Sequence, residues 1–379
     1  MSNIVVSGTG SGSLSALIQQ YYMPVLYDQI FKKSHPVLAL LKAKAKTFNG
    51  RDIVVPVEYA DGSASVWGDQ HGLGSAYAPA IADIAKTASY QPTMLTGHFL
   101  LTKEETLLMN SPQAIKNIVG AKVKNLQKSL EKKVAENLFA TSLATDAFNP
   151  LGVLLNEGVQ TVGGITVALS PASNTFWQTP VLDPTDFAGS TGNIADDSPD
   201  AGTSGYIASS DMVDSSKDTY ILKILQRGVA NARGYTGENP DVIVCPQSIY
   251  DLIENEIDPR KTGSKMSERM GSMGFNALNF RGIDIVADQD MVTQQDLVDG
   301  SADAFGVDGR IYFLNTNYLY MFFNSGAKFT ASDMIEDTKS NTFVQKVHTY
   351  GNMVVTNRRA HCVVSGLESS TTYAPHGAE

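Results

Sequence analysis

The stretch "RDIVVPVEYADGS", Arg51 to Ser63, decides how the chain is read. It is β-rich, and a second strand-like run, "YQPTMLTGHFLLTKEE" from Tyr90 to Glu105, answers it. The residues between are mostly Gly, Ala, Ser and Asp. Together they predict a long two-stranded hairpin with no neighbouring segment to supply its core. Pro56 removes a ladder donor, which belongs on a sheet edge. A lone two-stranded ribbon is marginal in water, and ordering it costs about 1–2 kcal/mol per residue in backbone entropy. The loop also carries Trp67, Tyr77, Ile81 and Ile84, apolar groups that a free loop would bury if it could. The expectation is a hairpin that lies on a neighbouring molecule and takes its stability from there.

Working outward, the 379 residues exceed the roughly 250–300 at which single cores stop growing. Two domains, or one with long appendages, are expected. Charged residues make up 18%, against about 25% in ordinary soluble domains. That low share suits a surface that buries itself against partners. The net charge of −10 argues against nucleic-acid binding over the whole surface, though not against a local basic face. Cys245 and Cys362 sit in the apolar runs "VIVCPQ" and "AHCVVSG" and read as reduced core thiols. There is no basic and then apolar N-terminal pattern of a signal peptide, and no apolar stretch approaches the ~20 residues of a membrane span. The chain reads as cytosolic when made, with no membrane partner.

Residues 1–48 open on "SGTGSGSLSA", a flexible start, and continue as a short arm. Residues 111–143 carry the strongest helix signal. Ser111 and Pro112 suit the helix start, and Ile115, Val119, Val123, Leu126, Leu130, Val134 and Leu138 recur at spacings of three and four. The opposite face carries Lys122, Lys124, Lys128, Lys132 and Lys133. "NPLGVLLN" is expected to begin a strand. Residues 167–217 read as an inserted Gly/Ser/Asp-rich loop. A helix over 217–234, a buried strand "DVIVC" and a second helix follow. Then come a Gly/Met-rich loop "KTGSKMSERMGSMGF", strands in "FRGIDIVADQDM" and "GRIYFLNTNYLYMFFNSGAKF", and a closing strand "NMVVTNRRAHCVVSGL". Without a regular βαβ rhythm, the fold class is α+β.

Catalytic, cofactor and metal signatures are missing. "GTGSGS" lacks the third glycine of a dinucleotide loop and the GK[ST] of a P-loop. The six histidines make no HxxxH or HExxH pair, there is no CxxC, and no G-x-S-x-G elbow. Asp196, Asp197 and Asp200 read as solvated loop charge, with no spacing that fixes a cage. The lysine face of the long helix could meet phosphates through counterion release, and it is equally what a solvated helix face looks like.

The order of parts is distinctive: arm, hairpin, long helix, "NPLGVLL", "NPDVIVCPQSIYDLIE", "FRGIDIVADQDM" and "VVTNRRAHCVVSGL". In that order they resemble the major capsid proteins of tailed bacteriophages, the Hong Kong 97 fold, over nearly the whole chain. The resemblance implies an N-arm at 1–48, an extended E-loop at 49–103, a P-domain at 104–151 with its spine helix at 111–143, a mostly A-domain segment at 152–335, and a return to the P-domain with a C-terminal tail at 336–379. It implies hexamers and pentamers tiling an icosahedral shell around double-stranded DNA. Separate scaffolding and portal proteins are implied as partners, and whether a decoration protein joins them outside is left open. It places the chain in the virion, assembled in the bacterial cytoplasm, with no enzymatic turnover and no cofactor. Trp67, Tyr77 and Ile81 become the hairpin tip that docks on a neighbour. Lys122, Lys124 and Lys128 become inner-face residues, and Lys265 and Arg269 a capsomer-axis loop. The stretch ahead of the hairpin is too short for a fused scaffolding segment, and Met1 argues against one having been removed. A few members of that family join an E-loop lysine to an asparagine near the closing strand with help from a glutamate. Lys86 and Asn357 occupy those regions, but no glutamate adjoins Asn357, and crosslinking is not expected. The same fold also serves encapsulin-like compartments, from which nucleic-acid absorbance of purified particles would distinguish a capsid. A cytosolic α+β enzyme would instead show itself as a monomer or small oligomer with one concave pocket.

Overall fold

The computed structural model describes residues 35–60, 84–104, 112–140, 143, 146–156, 161–169, 172–187, 207, 212–257, 277–288, 291, 309–328, 330–333, 335–336 and 341–367. Two six-stranded sheets organise them. The first is built on one long strand, Thr342–Val355. Thr93–Thr102 pairs antiparallel along ten of its residues, from Thr342↔Thr102 to Gly351↔Thr93. Leu319–Asn324 pairs with its last part, and Lys46–Phe48 adds in parallel beyond that. The short strands Thr330–Ala331 and Ile335–Glu336 complete the sheet. The second sheet runs in the order Ala277–Phe280, Ile283–Ala287, Val242–Cys245, Gly309–Leu314, Cys362–Leu367, Val181–Leu182. Helix and strand are mixed in an α+β arrangement.

The second sheet is apolar on both faces because its strands are. Val242 and Val244 join one hydrophobic cluster, while their neighbours Ile243 and Cys245 join another. One cluster packs under the helices Ile221–Thr236 and Gln247–Ile257. The former ends where its periodicity stops, with Gly237 at φ +74° and its N–H on the Arg233 carbonyl at 2.8 Å, the left-handed helix end that glycine favours. The other cluster gathers the first sheet, the C-terminal part of the long helix and the base of the hairpin. Cys245 and Cys362 are buried free thiols, as expected. Burial pushes the Cys362 thiol up to about 12.

The long helix spans Pro112–Leu138, about 40 Å at 1.5 Å per residue. It stops five residues short of the expected 143. Asn137 Nδ2 donates to the Phe148 carbonyl at 2.6 Å, and Asp146 takes a left-handed φ of 61°, so the chain doubles back. The helix covers one face of the strand Thr93–Thr102. A Cβ at Gly97 would lie 2.7 Å from Leu126 Cδ1, so glycine permits this close approach.

Four sequence expectations are corrected. The hairpin strand Ile53–Glu58 pairs with Ala85–Tyr90, from Ile53↔Tyr90 to Glu58↔Ala85, and not with Thr93–Thr102. "AKTASY" looks loop-like by composition, yet its alternation sends Ala88 and Tyr90 inward. The ten-residue alternation that follows finds its partner in the longest strand of the chain. Secondly, "LGVL" after Pro150 is a short buried helix, Leu151–Leu154, since a short apolar run buried all round does not disclose its type by period. Thirdly, the closing run is two strands in two different sheets, broken by a 3₁₀ turn at Arg358–Ala360.

The fourth correction concerns the base of the hairpin, which is held by its own subunit. Ile53, Ala88 and Tyr90 are buried in the main core. Ser89 N–H donates to the Gly163 carbonyl at 2.8 Å and the Tyr90 hydroxyl to the Val355 carbonyl at 2.9 Å. Gly163, at φ +61°, lets the turn after Val162 press against Ala88 and Tyr90, where a Cβ would come within 3.0 Å of both. The segments 161–169 and 172–177, which from 167 onward read as loop in the sequence, supply the core that the strands at 53–58 and 85–90 lacked. The tip, with Trp67, Tyr77 and Ile81, lies outside the described residues.

Candidate subunit interface

The end of the described hairpin strand, Pro56 to Ala60, borders a groove of about 610 Å³. The Tyr59 ring stacks on Phe176 with centroids 4.5 Å apart. Lys86 extends beneath both rings and its Nζ donates to Asn174 Oδ1 at 2.6 Å. Across the groove, the Arg359 guanidinium lies 4.6 Å over the exposed Tyr235 ring and donates to the Thr175 carbonyl at 2.8 Å. Tyr318 and Asn357 complete the wall. The pair suggested for crosslinking is engaged elsewhere: Lys86 with Asn174, and the Asn357 side chain with the Arg359 N–H.

Behind the groove stands Arg358, fully buried in the turn that joins the two sheets. Its Nε donates to the Leu154 carbonyl at 2.8 Å, one terminal nitrogen to Trp177 at 2.7 Å and the other to Asn156 at 2.6 Å. Burial pulls its pKa down to about 10, and the same burial holds the nearby Tyr90 phenol protonated well above its usual range. Three residues on, His361 Nδ1 accepts the Asn315 N–H at 3.2 Å, and complete burial pushes its pKa down to about 3. From the sequence Arg358 receives no role, and His361 is considered only as a metal ligand and set aside. The signal was present, since two arginines and a histidine stand between the apolar runs "MVV" and "CVV".

A second surface lies on the first sheet. With the long helix covering one side, the other side shows Met94, Leu100 and Ile335 exposed at 58%, 50% and 64%. Directly opposite residues on a strand pair share a face, so Thr96 with His348 and His98 with Lys346 stand between them. This face is part apolar and part basic.

Of the lysines named on the long helix, Lys124 and Lys128 are exposed, whereas Lys122 turns to the sheet and donates to the Leu100 carbonyl at 3.1 Å. Lys132 pairs with Glu136 at 3.6 Å. Lys265 and Arg269 fall outside the described residues. Among the described residues, no three His, Cys, Asp or Glu side chains converge as metal ligands, and no helix is long and apolar enough to cross a membrane.

This architecture is that of the Hong Kong 97-like capsid fold. Comparison with solved structures carries that statement. The capsid of Myoviridae phage XM1 superposes with a TM-score of 0.53 at 14% identity, covering 97% of this chain and 100% of that one. The capsid of cyanophage A-1(L) gives 0.58 at 17% identity, covering 93% and 97%. An encapsulin complex from Synechococcus elongatus gives 0.51 at 8% identity, covering 96% and 98%. No protein-family model matches the chain, and no curated protein matches it by sequence.

Proposed function

We propose that this chain is the major capsid protein of a tailed bacteriophage. It would assemble into hexamers and pentamers of an icosahedral shell around double-stranded DNA. The observation that carries the proposal is two-way coverage. Phage capsid chains account for nearly all of this chain, and it accounts for nearly all of theirs. The encapsulin is matched less well than the cyanophage capsid, in both superposition and identity, which favours the phage reading over a protein-filled compartment. The role is structural, without turnover, and the place of action is the virion after assembly in the bacterial cytoplasm. Scaffolding and portal proteins are partners of this reading.

On this reading, residues 1–48 are the N-arm, 49–103 the E-loop, 104–151 the P-domain with the long helix, 152–335 mostly the A-domain, and 336–379 the return and tail. The tip residues Trp67, Tyr77 and Ile81 dock on the next subunit. Lys124 and Lys128, the two exposed lysines of the three named on the helix, face the genome, and Lys265 and Arg269 sit near a capsomer axis. Burial between subunits exceeds the ~2,000 Å² at which obligate interfaces begin.

The test is to express the chain and image the product after sedimentation. Capsomers or closed shells are expected, and a product that stays monomeric at every concentration sinks the proposal. Excising residues 62–83 while keeping the paired strands 53–58 and 85–90 should leave folded subunits that no longer close into shells.

A further inference from the structure

The tight turn at Phe280–Ile283 carries a residue that its backbone does not favour. Phe280 and Ile283 pair directly, so Arg281 and Gly282 form a two-residue hairpin loop. Both have positive φ, +53° and +85°. That is the signature of a type I′ turn, in which the first position strongly prefers Asn, Asp or Gly. The other described non-glycine residues with positive φ are Asp146 and Asn174, whose short polar side chains tolerate the left-handed region. Arginine has no such compensation. Local support comes instead from Asn279, whose Oδ1 accepts the Gly282 N–H at 2.9 Å.

Among the described residues, the arginine's one ring or ion-pair contact is with its own neighbour, Phe280. Its side chain is exposed, with the guanidinium 5.6 Å from the Phe280 ring, and no carboxylate among the described residues forms an ion pair with it. The turn closes the outermost strand of the second sheet, Ala277–Phe280, so it stands at a sheet edge. The helix Gln247–Ile257, which packs on the strand Ile283–Ala287 that follows the turn, carries Asp251, Glu254 and Glu256 and no basic residue. A polyanion such as DNA would meet that negative field, and among the described residues of this edge, 247–257 and 277–287, Arg281 is the one cation to offset it, whereas phosphate binding is built from several. A carboxylate on a protein surface needs only one arginine, whose planar fork it fits in a two-pronged bond. A second copy of this chain is such a surface, with 39 acidic residues against 29 basic.

We propose that Arg281 is held in this turn, against the turn's own preference, to engage a carboxylate on an adjacent copy of the chain. Residues kept in sparsely populated backbone regions mark places where function overrides local stability. Arginine is also among the residues that dominate protein interfaces. The inference rests on the self-assembly proposed above and adds a specific contact to it.

Arg281→Asn separates strain from function. The isolated variant subunit should melt higher than the unaltered one, by about 2 °C, while its critical concentration for assembly rises at least about tenfold. Arg281→Lys keeps a cation and supplies an amine. When assembled from a mixture of isotope-labelled and unlabelled subunits and treated with a carbodiimide, it should yield a covalent peptide joining residue 281 to an Asp or Glu of a different copy. An Arg281→Asn subunit that is no more stable overturns the strain argument. Unchanged assembly of that variant, or a residue 281 linked only within its own chain, overturns the contact. Should the unaltered chain fail to assemble at all, the capsid reading falls and this inference with it. Should the unaltered chain assemble and Arg281→Asn match it, only this inference falls.

Discussion

The two sheets solve the same problem in opposite ways. Every residue of Val242–Cys245 is buried, and Ile283–Ala287 is nearly so, because helices cover one face and the main core covers the other. In the first sheet, Thr93–Thr102 alternates between covered and exposed along most of its length. A continuous apolar run describes a sheet that completes itself. An alternating run describes one with a finished face and an open one, as antiparallel sheets allow. The open face here carries Met94, Leu100 and Ile335, which leaves apolar surface for a partner. The chain thus pairs a self-sufficient half with a half that is complete only on one side.

The turn that joins the halves is pinned by Arg358, and the largest effect is expected there. Arg358→Met fills similar volume but strands the carbonyls of Leu154, Asn156 and Trp177. Each unpaired buried acceptor costs about 1–3 kcal/mol, partly offset by removing a buried charge, so the subunit should lose roughly 3–5 kcal/mol. Urea unfolding of the unassembled subunit measures it. A loss under about 1 kcal/mol would show that the sheets are joined by apolar packing alone.

The comparison is sharpened by two adjacent leucines. Leu101 is 1% exposed and Leu100 is 50% exposed on the same strand. Leu101→Ala should cost the subunit about 3 kcal/mol through lost burial and a cavity, and Leu100→Ala within about 0.5 kcal/mol, as for ordinary surface positions. Assembly should reverse part of that ranking, with Leu100→Ala weakening shells more than its effect on the subunit explains. Equal subunit losses for the two would mean that the open face is not open in solution.

Much of this was legible in the sequence. The self-sufficient half announced itself: "DVIVC", its following helix and "FRGIDIV" each carry a period or a continuous apolar run that tertiary packing did not overrule. The order of parts also pointed to the fold. The hairpin misled for a physical reason. Alternation fixes which way side chains point but not which strand they meet, and "AKTASY" has too few apolar residues to outbid the long run after it. Its missing core came from 161–169 and 172–177, where two-residue strands and a turn through the left-handed Gly163 and Gly164 do the packing. Contacts built from turns leave no periodic trace. Arg358 shows the same limit, because its partners are backbone carbonyls, which every residue possesses.

The joint also carries a titration that tests which half it supports. His361 is buried and neutral, held at a pKa of about 3 against 6.5 when exposed, mainly by loss of solvation. Between those values the unfolded chain binds a proton that the folded chain does not, so stability rises with pH there. It is fully present above about pH 6.5 and is lost progressively as pH falls toward 3. At pH 5 the loss from this one group is about 2 kcal/mol. His361→Asn retains an acceptor for the Asn315 N–H and removes the titration, so its stability should change less between pH 7 and pH 5 by about that amount. His361 leads directly into Cys362–Leu367 of the second sheet. Hydrogen exchange at pH 5 should therefore quicken there before it quickens in Thr93–Thr102. Identical pH dependence in variant and parent would mean that His361 is charged or solvated in the fold. Faster exchange in the first sheet would mean that the half buried on both faces is not the half whose stability this histidine sets.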